Sequence, residues 1–96
     1  MSVRVTLNCQ IQSGQFENLH PFLELNLPNV RGFKGNRRVT VFYDQHNDEM
    51  LLDEEWTSIE SHQHYIQCIS ENGVLEKLSR FLETPPSIKY FEQVDI

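Results

Sequence analysis

A carboxylate, an indole and an imidazole fall within one short stretch, Met50 to Cys68, MLLDEEWTSIESHQHYIQC. Met50, Leu52, Glu54 and Trp56 recur at every second position, so on a strand they share one face. The run that follows is helical and carries His62, His64 and Tyr65. On a wheel of about 100° per residue, His62 joins the stripe of Ile59, Ile66 and Ile69. Tyr65 lies at the edge of that stripe, and His64 and Cys68 point away. Two independent periodicities therefore aim Glu54, Trp56 and His62 at one space between a helix and a sheet.

The chemistry open to such a trio is proton transfer beside an aromatic surface. Histidine titrates near neutrality and can act as a base. A carboxylate on the core side of a strand needs a partner or shifts toward its neutral form. An indole offers a face for stacking. Each residue also has a purely structural reading. His62 can be a core histidine satisfied by one hydrogen bond, and Trp56 a core anchor. Glu54 can pair with Arg31, Arg38 or a backbone donor. Asp53 and Glu55 read as surface charge. Tyr43 and Tyr90 read as packing residues with a wet hydroxyl.

The elements that must hold these groups follow from the same periodicities. Val3, Val5, Leu7, Cys9 and Ile11 alternate with Arg4, Thr6, Asn8 and Gln10, which predicts a strand. Phe16, Leu19 and Leu23 predict a helix that starts late or kinks at Pro21 and ends at Pro28. A loop over 29–36 holds Arg31 and Phe33. Strands over 38–43 and 49–57, joined by the polar turn 44–48, predict an antiparallel hairpin. Thr57 or Ser58 can cap the next helix, and Thr57 with Glu60 has the spacing of a capping box. Asn72-Gly73 should stop that helix. A second helical segment spans 74–82, Pro85-Pro86 breaks it, and a last strand covers 87–94. The order is β-α-β-β-α-β, an α+β ferredoxin-like arrangement with an antiparallel sheet and helices on one face. Phe42, Leu51 and Phe91 then remain on the uncovered face, opposite Val41, Leu52 and Tyr90. Apolar area of that kind marks an interface, and a second copy packed sheet to sheet would cover it.

Composition narrows the function classes. Ninety-six residues, 39% apolar, make one globular domain over 1–96 and not a disordered chain. A chain so short buries only roughly two thirds of its unfolded surface, so a large private cavity needs a partner. The net charge of −6 disfavours nucleic acid. No run of apolar residues approaches a membrane span, and MSVRVTLN does not read as a secretion signal. Cys9 and Cys68, far apart, read as free thiols in a reducing, cytoplasmic compartment. His62 and His64 diverge by about 160° on a helix and make no metal pair. Gly32 and Gly35 lack the strand-to-helix context of a phosphate loop. No metal and no flavin is expected.

The segment EEWTS after the hairpin, the Asn-Gly helix stop and the closing PPSIKYFEQV resemble the antibiotic biosynthesis monooxygenase domain. NLPNVRGFKG, from Asn26 to Gly35, is similar to the helix-to-loop link of a subgroup. The resemblance covers nearly the whole chain. It implies a dimeric α/β barrel related to quinol monooxygenases and haem-degrading enzymes. It also implies oxygen chemistry without metal or flavin, on small, easily oxidised aromatic substrates in a dry cavity. Haem-degrading members use an asparagine on the first strand, a tryptophan near the end of the third and a helix histidine. Asn8 and Trp56 match the first two. Tyr65 stands where many members carry that histidine, so haem chemistry does not carry over. The expected catalytic set is His62, Trp56 and Glu54, with Asn8, Phe33 and Tyr65 contacting substrate. The alternative is a non-enzymatic homodimer that binds a small apolar ligand.

Overall fold

The computed structural model describes residues 2–96. Strand β1 runs Val3–Gln10, and helix α1 runs Phe16–Arg31. Strands β2, Asn36–Asp44, and β3, Glu49–Trp56, form the hairpin. Helices α2, Ile59–Glu71, and α3, Val74–Ser79, follow, and β4, Ser87–Glu92, closes the chain. The sheet order is β2-β3-β1-β4, with every neighbouring pair antiparallel. This is the ferredoxin-like arrangement the patterns predict. Each crossover helix skips one strand, so β1 and β3 lie side by side at the centre.

Register decides which residues share a face. Val5 pairs with Glu54 and with Tyr90, and Leu7 pairs with Leu52 and with Ile88. Val3 pairs with Trp56, and Val39 with Glu54. All of these project toward the helices. The core forms there from Val3, Val5, Leu7 and Cys9 on β1, Met50, Leu52 and Trp56 on β3, and Leu19, Leu23, Val30 and Tyr65 on the helices. The opposite face carries Arg4, Thr6 and Asn8 across from Glu55, Asp53 and Leu51. Phe42 and Phe91 stand about half exposed on it.

Three local expectations are corrected. Pro28 does not end α1, and Pro21 does not delay its start. Both prolines lie on the solvent side, so the carbonyls of Glu17 and Glu24 that lose their donors face water. The cap of α2 is Ser58, whose Oγ accepts from the Ser61 amide at 3.1 Å; Thr57 and Glu60 do not form the box. The segment after Gly73 stays helical only to Ser79, because Leu82 leaves to pair with Ile11 in an isolated bridge. That bridge ties the chain after α3 to the end of β1, with Glu83 donating to the Gln10 carbonyl at 2.8 Å.

One glycine is fixed by space as well as by backbone. Gly35 has φ +97°, and a Cβ there would sit 2.6 Å from the Ser61 Cβ. The loop carrying Phe33 is thereby pressed against the start of α2, where the Thr57 amide donates to the Gly35 carbonyl at 2.8 Å.

Candidate active site

The two periodicities do meet. Glu54 and Trp56 stand together on β3 because they are two apart. The α2 stripe brings His62 over them, held by the cap at Ser58 three residues before the first full turn closes. Trp56 and His62 are fully buried, and Glu54 is 3% exposed. The Trp56 Nε1–H donates to Glu54 Oε1 at 2.7 Å. The His62 ring meets the indole edge-on, with centroids 5.3 Å apart. His62 Nε2 lies 3.9 Å from Glu54 Oε1. Its Nδ1 lies 2.9 Å from the Tyr90 hydroxyl, across on β4.

Burial sets the charge state of this cluster. Loss of water pushes the Glu54 carboxyl up to about 7, against the indole hydrogen bond that favours its charged form. The same loss of water pulls His62 down to about 4. Both groups therefore lean toward neutrality, and their approach is not an ion pair at neutral pH. Glu54 sits in the range where a group can take or give a proton at little cost. The expected arginine or backbone partner of Glu54 is replaced by the indole. Arg31 is spent elsewhere, donating to the Val39 carbonyl at 3.0 Å.

Two aromatic residues extend the cluster outward. Tyr65 is 9% exposed, deeper than the edge position of the wheel, and its ring centroid is 5.5 Å from that of Trp56. Phe33 stacks edge-on to Tyr65 at 5.2 Å and reaches Trp56 at 6.1 Å. Beyond them lies a groove of about 160 Å³ between α1 and α2, lined by Phe33, Tyr65, Asn26, Asn29, Cys68 and Ile69 among others. The groove stops at Phe33 and Tyr65. Glu54, Trp56 and His62 do not line it; they pack on one another.

Asn8 is not brought to this place. It projects from the opposite face of β1 and donates to Glu49 Oε2 at 3.1 Å. His64 is exposed on α2, touching the Phe33 ring at 5.6 Å. Two residues of interest were missed in sequence. Asp53, read as surface charge, is 5% exposed and bound by Arg4 and Arg38 on the open face. Its burial had no signal beyond the count of basic residues on β1 and β2. Asn36 pairs with Trp56 in the hairpin, and its Nδ2, like His62 Nε2, is a buried nitrogen without a hydrogen-bond partner among the described residues. Among the described residues, no group of three or more His, Cys, Asp or Glu side chains is placed to hold a metal ion. Cys9 and Cys68 are unpaired, and burial pushes the Cys9 thiol up to about 12. No described helix is long and apolar enough to cross a membrane.

Neither a protein-family profile nor a curated protein sequence matches the chain. Solved structures do. A conserved protein from Methanosarcina mazei Go1 superposes with a TM-score of 0.85 at 15% identity, over 98% of this chain and 94% of that one. The Rv0793 protein of Mycobacterium tuberculosis gives 0.82 at 14% identity, over 100% and 98% of the two chains. A structure named antibiotic biosynthesis monooxygenase gives 0.81 at 14% identity, over 97% and 99%. Identities this low speak to architecture: the chain has the ferredoxin-like fold of these structures.

Proposed function

We propose that the protein is a cofactor-independent monooxygenase acting on a small aromatic or quinol-like substrate. The observation that carries this reading is a carboxyl poised near neutrality in a dry site, Glu54, between an indole donor and a neutral imidazole. The substrate ring rests on Phe33 and Tyr65 in the groove between α1 and α2. Movement of those two rings admits its hydroxyl to Glu54, which takes the proton, while Trp56 offers a stacking face and His62 a second polar contact. The electron-rich anion then reduces dioxygen. One oxygen atom enters the ring and the other leaves as water, the substrate supplying both reducing equivalents. The fold shared with a structure named antibiotic biosynthesis monooxygenase supports the assignment.

The test is oxygen uptake with a panel of hydroquinones, with and without added metal. Glu54→Gln should lower kcat by about 100-fold or more, the range of a lost proton-transfer group, and His62→Ala should lower it as well through the lost polar contact. Absence of uptake with every hydroquinone would sink the oxygenase reading. A specific observation favours a second reading, a non-enzymatic dimer binding a small apolar ligand: Glu54, Trp56 and His62 already fill their shared space. Trp56 is the only tryptophan, so its fluorescence reports ligand entry directly. Quenching by apolar ligands without oxygen uptake selects this second reading.

Under either reading the working unit is a homodimer joined through the open sheet faces, in a reducing cytoplasmic setting suited to two free thiols. Phe42, Phe91 and Leu51 supply the apolar contact, and Asn8 faces the partner instead of the pocket. Sedimentation at micromolar concentration should give twice 11.3 kDa; a clean monomer of that mass would overturn the dimer.

A further inference from the structure

The buried cluster reaches an edge strand of the sheet. Tyr90 stands on β4, an outer strand of the sheet, and is half-buried. Its hydroxyl lies 2.9 Å from His62 Nδ1. The other ring nitrogen, Nε2, is enclosed and without a hydrogen-bond partner among the described residues, 3.9 Å from Glu54 Oε1. A nitrogen left unpaired in the core is costly. Closure by about 1 Å brings it within hydrogen-bond range of the carboxyl. Glu54, His62 and Tyr90 thus form an ordered line from the driest carboxyl of the molecule to its rim.

We propose that Tyr90 is a positioning residue that fixes the tautomer of His62 and carries protons between Glu54 and solvent. Its purpose rests on the oxygenase reading above; its geometry does not. With Nδ1–H donating to the Tyr90 oxygen, Nε2 keeps a free lone pair beside Glu54. The Glu54 O–H bond breaks as His62 Nε2–H forms. The Nδ1–H bond breaks as a new O–H forms on Tyr90, and the proton Tyr90 held passes to water. Glutamic acid becomes carboxylate, and the imidazole is neutral before and after but ends protonated at Nε2; exchange with water when Phe33 and Tyr65 move to admit substrate returns it to the Nδ1–H form. Nothing is oxidised or reduced. The carboxyl that takes the substrate proton is thereby emptied without opening the core.

The other titratable groups around Glu54 do not compete. Cys9 on β1 and Tyr65 on α2 are both held well above neutrality by burial. Asp53 adjoins it in sequence but projects from the other face and stays a carboxylate beside Arg4.

Tyr90→Phe tests this, because it removes the hydroxyl and keeps the ring that meets His62 edge-on at 5.4 Å. Nitrogen-15 NMR of the full-length protein, with no ligand added, reads the tautomer. The wild type should show one form, protonated at Nδ1, and the variant a mixture. Exchange of the ring proton with water should slow by about tenfold in the variant, and kcat for oxygen uptake should fall by about tenfold with KM within about twofold. Protonation at Nε2 in the wild type would overturn the proposal, even if the variant failed to fold. So would identical ring shifts and exchange in the two proteins. If no hydroquinone is consumed, the oxygenase reading fails alone, and the NMR measurements still decide the role of Tyr90.

Discussion

Asp53 and Glu54 are neighbours on β3, both shielded from the surface, but Glu54 lies far deeper, and they meet opposite fates. Asp53 faces the open side of the sheet. Arg4 Nε donates to its Oδ1 at 2.8 Å, and Arg38 Nη2 lies 3.5 Å from the same oxygen. The hydrogen bond from Arg4 holds the Asp53 carboxyl below the usual carboxylate range, against desolvation. Glu54 faces the helices, where its only close donor among the described residues is an indole and the nearest cation candidate is a histidine that burial keeps neutral. Depth and neighbours together therefore decide a carboxyl's charge: loss of water dominates at Glu54, and the Arg4 hydrogen bond dominates at Asp53. The strand's two-residue period deals one setting to each.

The strongest way to break this contrast is to remove the indole. Trp56→Ala deletes a fully buried ring and the one hydrogen bond to Glu54, so urea unfolding should show a loss of roughly 3–5 kcal/mol. A loss below about 1 kcal/mol would mean that Trp56 does not organise the cluster.

Neutralising each carboxyl should next give effects of opposite sign. Raising Glu54 from 4.5 to about 7 leaves a penalty of about 3 kcal/mol once it is ionised at pH 8. Glu54→Gln keeps an acceptor for the indole and removes that penalty, so stability at pH 8 should rise by about 1–3 kcal/mol. That gain would accompany the predicted loss of turnover. Asp53→Asn should instead cost about 1 kcal/mol, a modest figure because the Arg4 side chain is 61% exposed and its pairing is screened. Equal signs for the two substitutions would end the comparison.

The pH dependence sharpens it further. The raised Glu54 value gives a contribution fully present below pH 4.5 and lost as pH rises through about 7. The lowered His62 value gives a contribution present above pH 6.5 and lost as pH falls through about 4. Between these limits the two slopes oppose and partly cancel. Relative to wild type, Glu54→Gln should therefore gain stability as pH rises from about 4 to 7, and His62→Asn should lose it over the same span. Chemical denaturation at a series of pH values reads both slopes. Parallel curves for wild type and either variant would contradict the assigned charge states. The smallest effect belongs to His64→Ala, on the exposed side of α2, at less than about 0.5 kcal/mol and with unchanged ligand binding.

Much of this is legible in the sequence. The alternation of Val3 to Ile11 and of Met50 to Trp56, and the α2 stripe through His62, rest on periods fixed by backbone geometry, so they survive translation into three dimensions. The convergence of Glu54, Trp56 and His62 followed from those periods. The course of α1 through Pro21 and Pro28 was not legible, because a proline's cost depends on whether the orphaned carbonyl meets water, and that is a matter of which side faces out. The same holds for Asp53 and Asn8. Their shared face could be named from alternation, but the arginine clamp on one and the glutamate contact of the other come from strands up to 49 positions away in sequence. Sequence periodicity thus determined what each element turns toward the core. Only the tertiary structure decided which partner waits there, because register, sheet order and the depth of burial are properties of several segments at once.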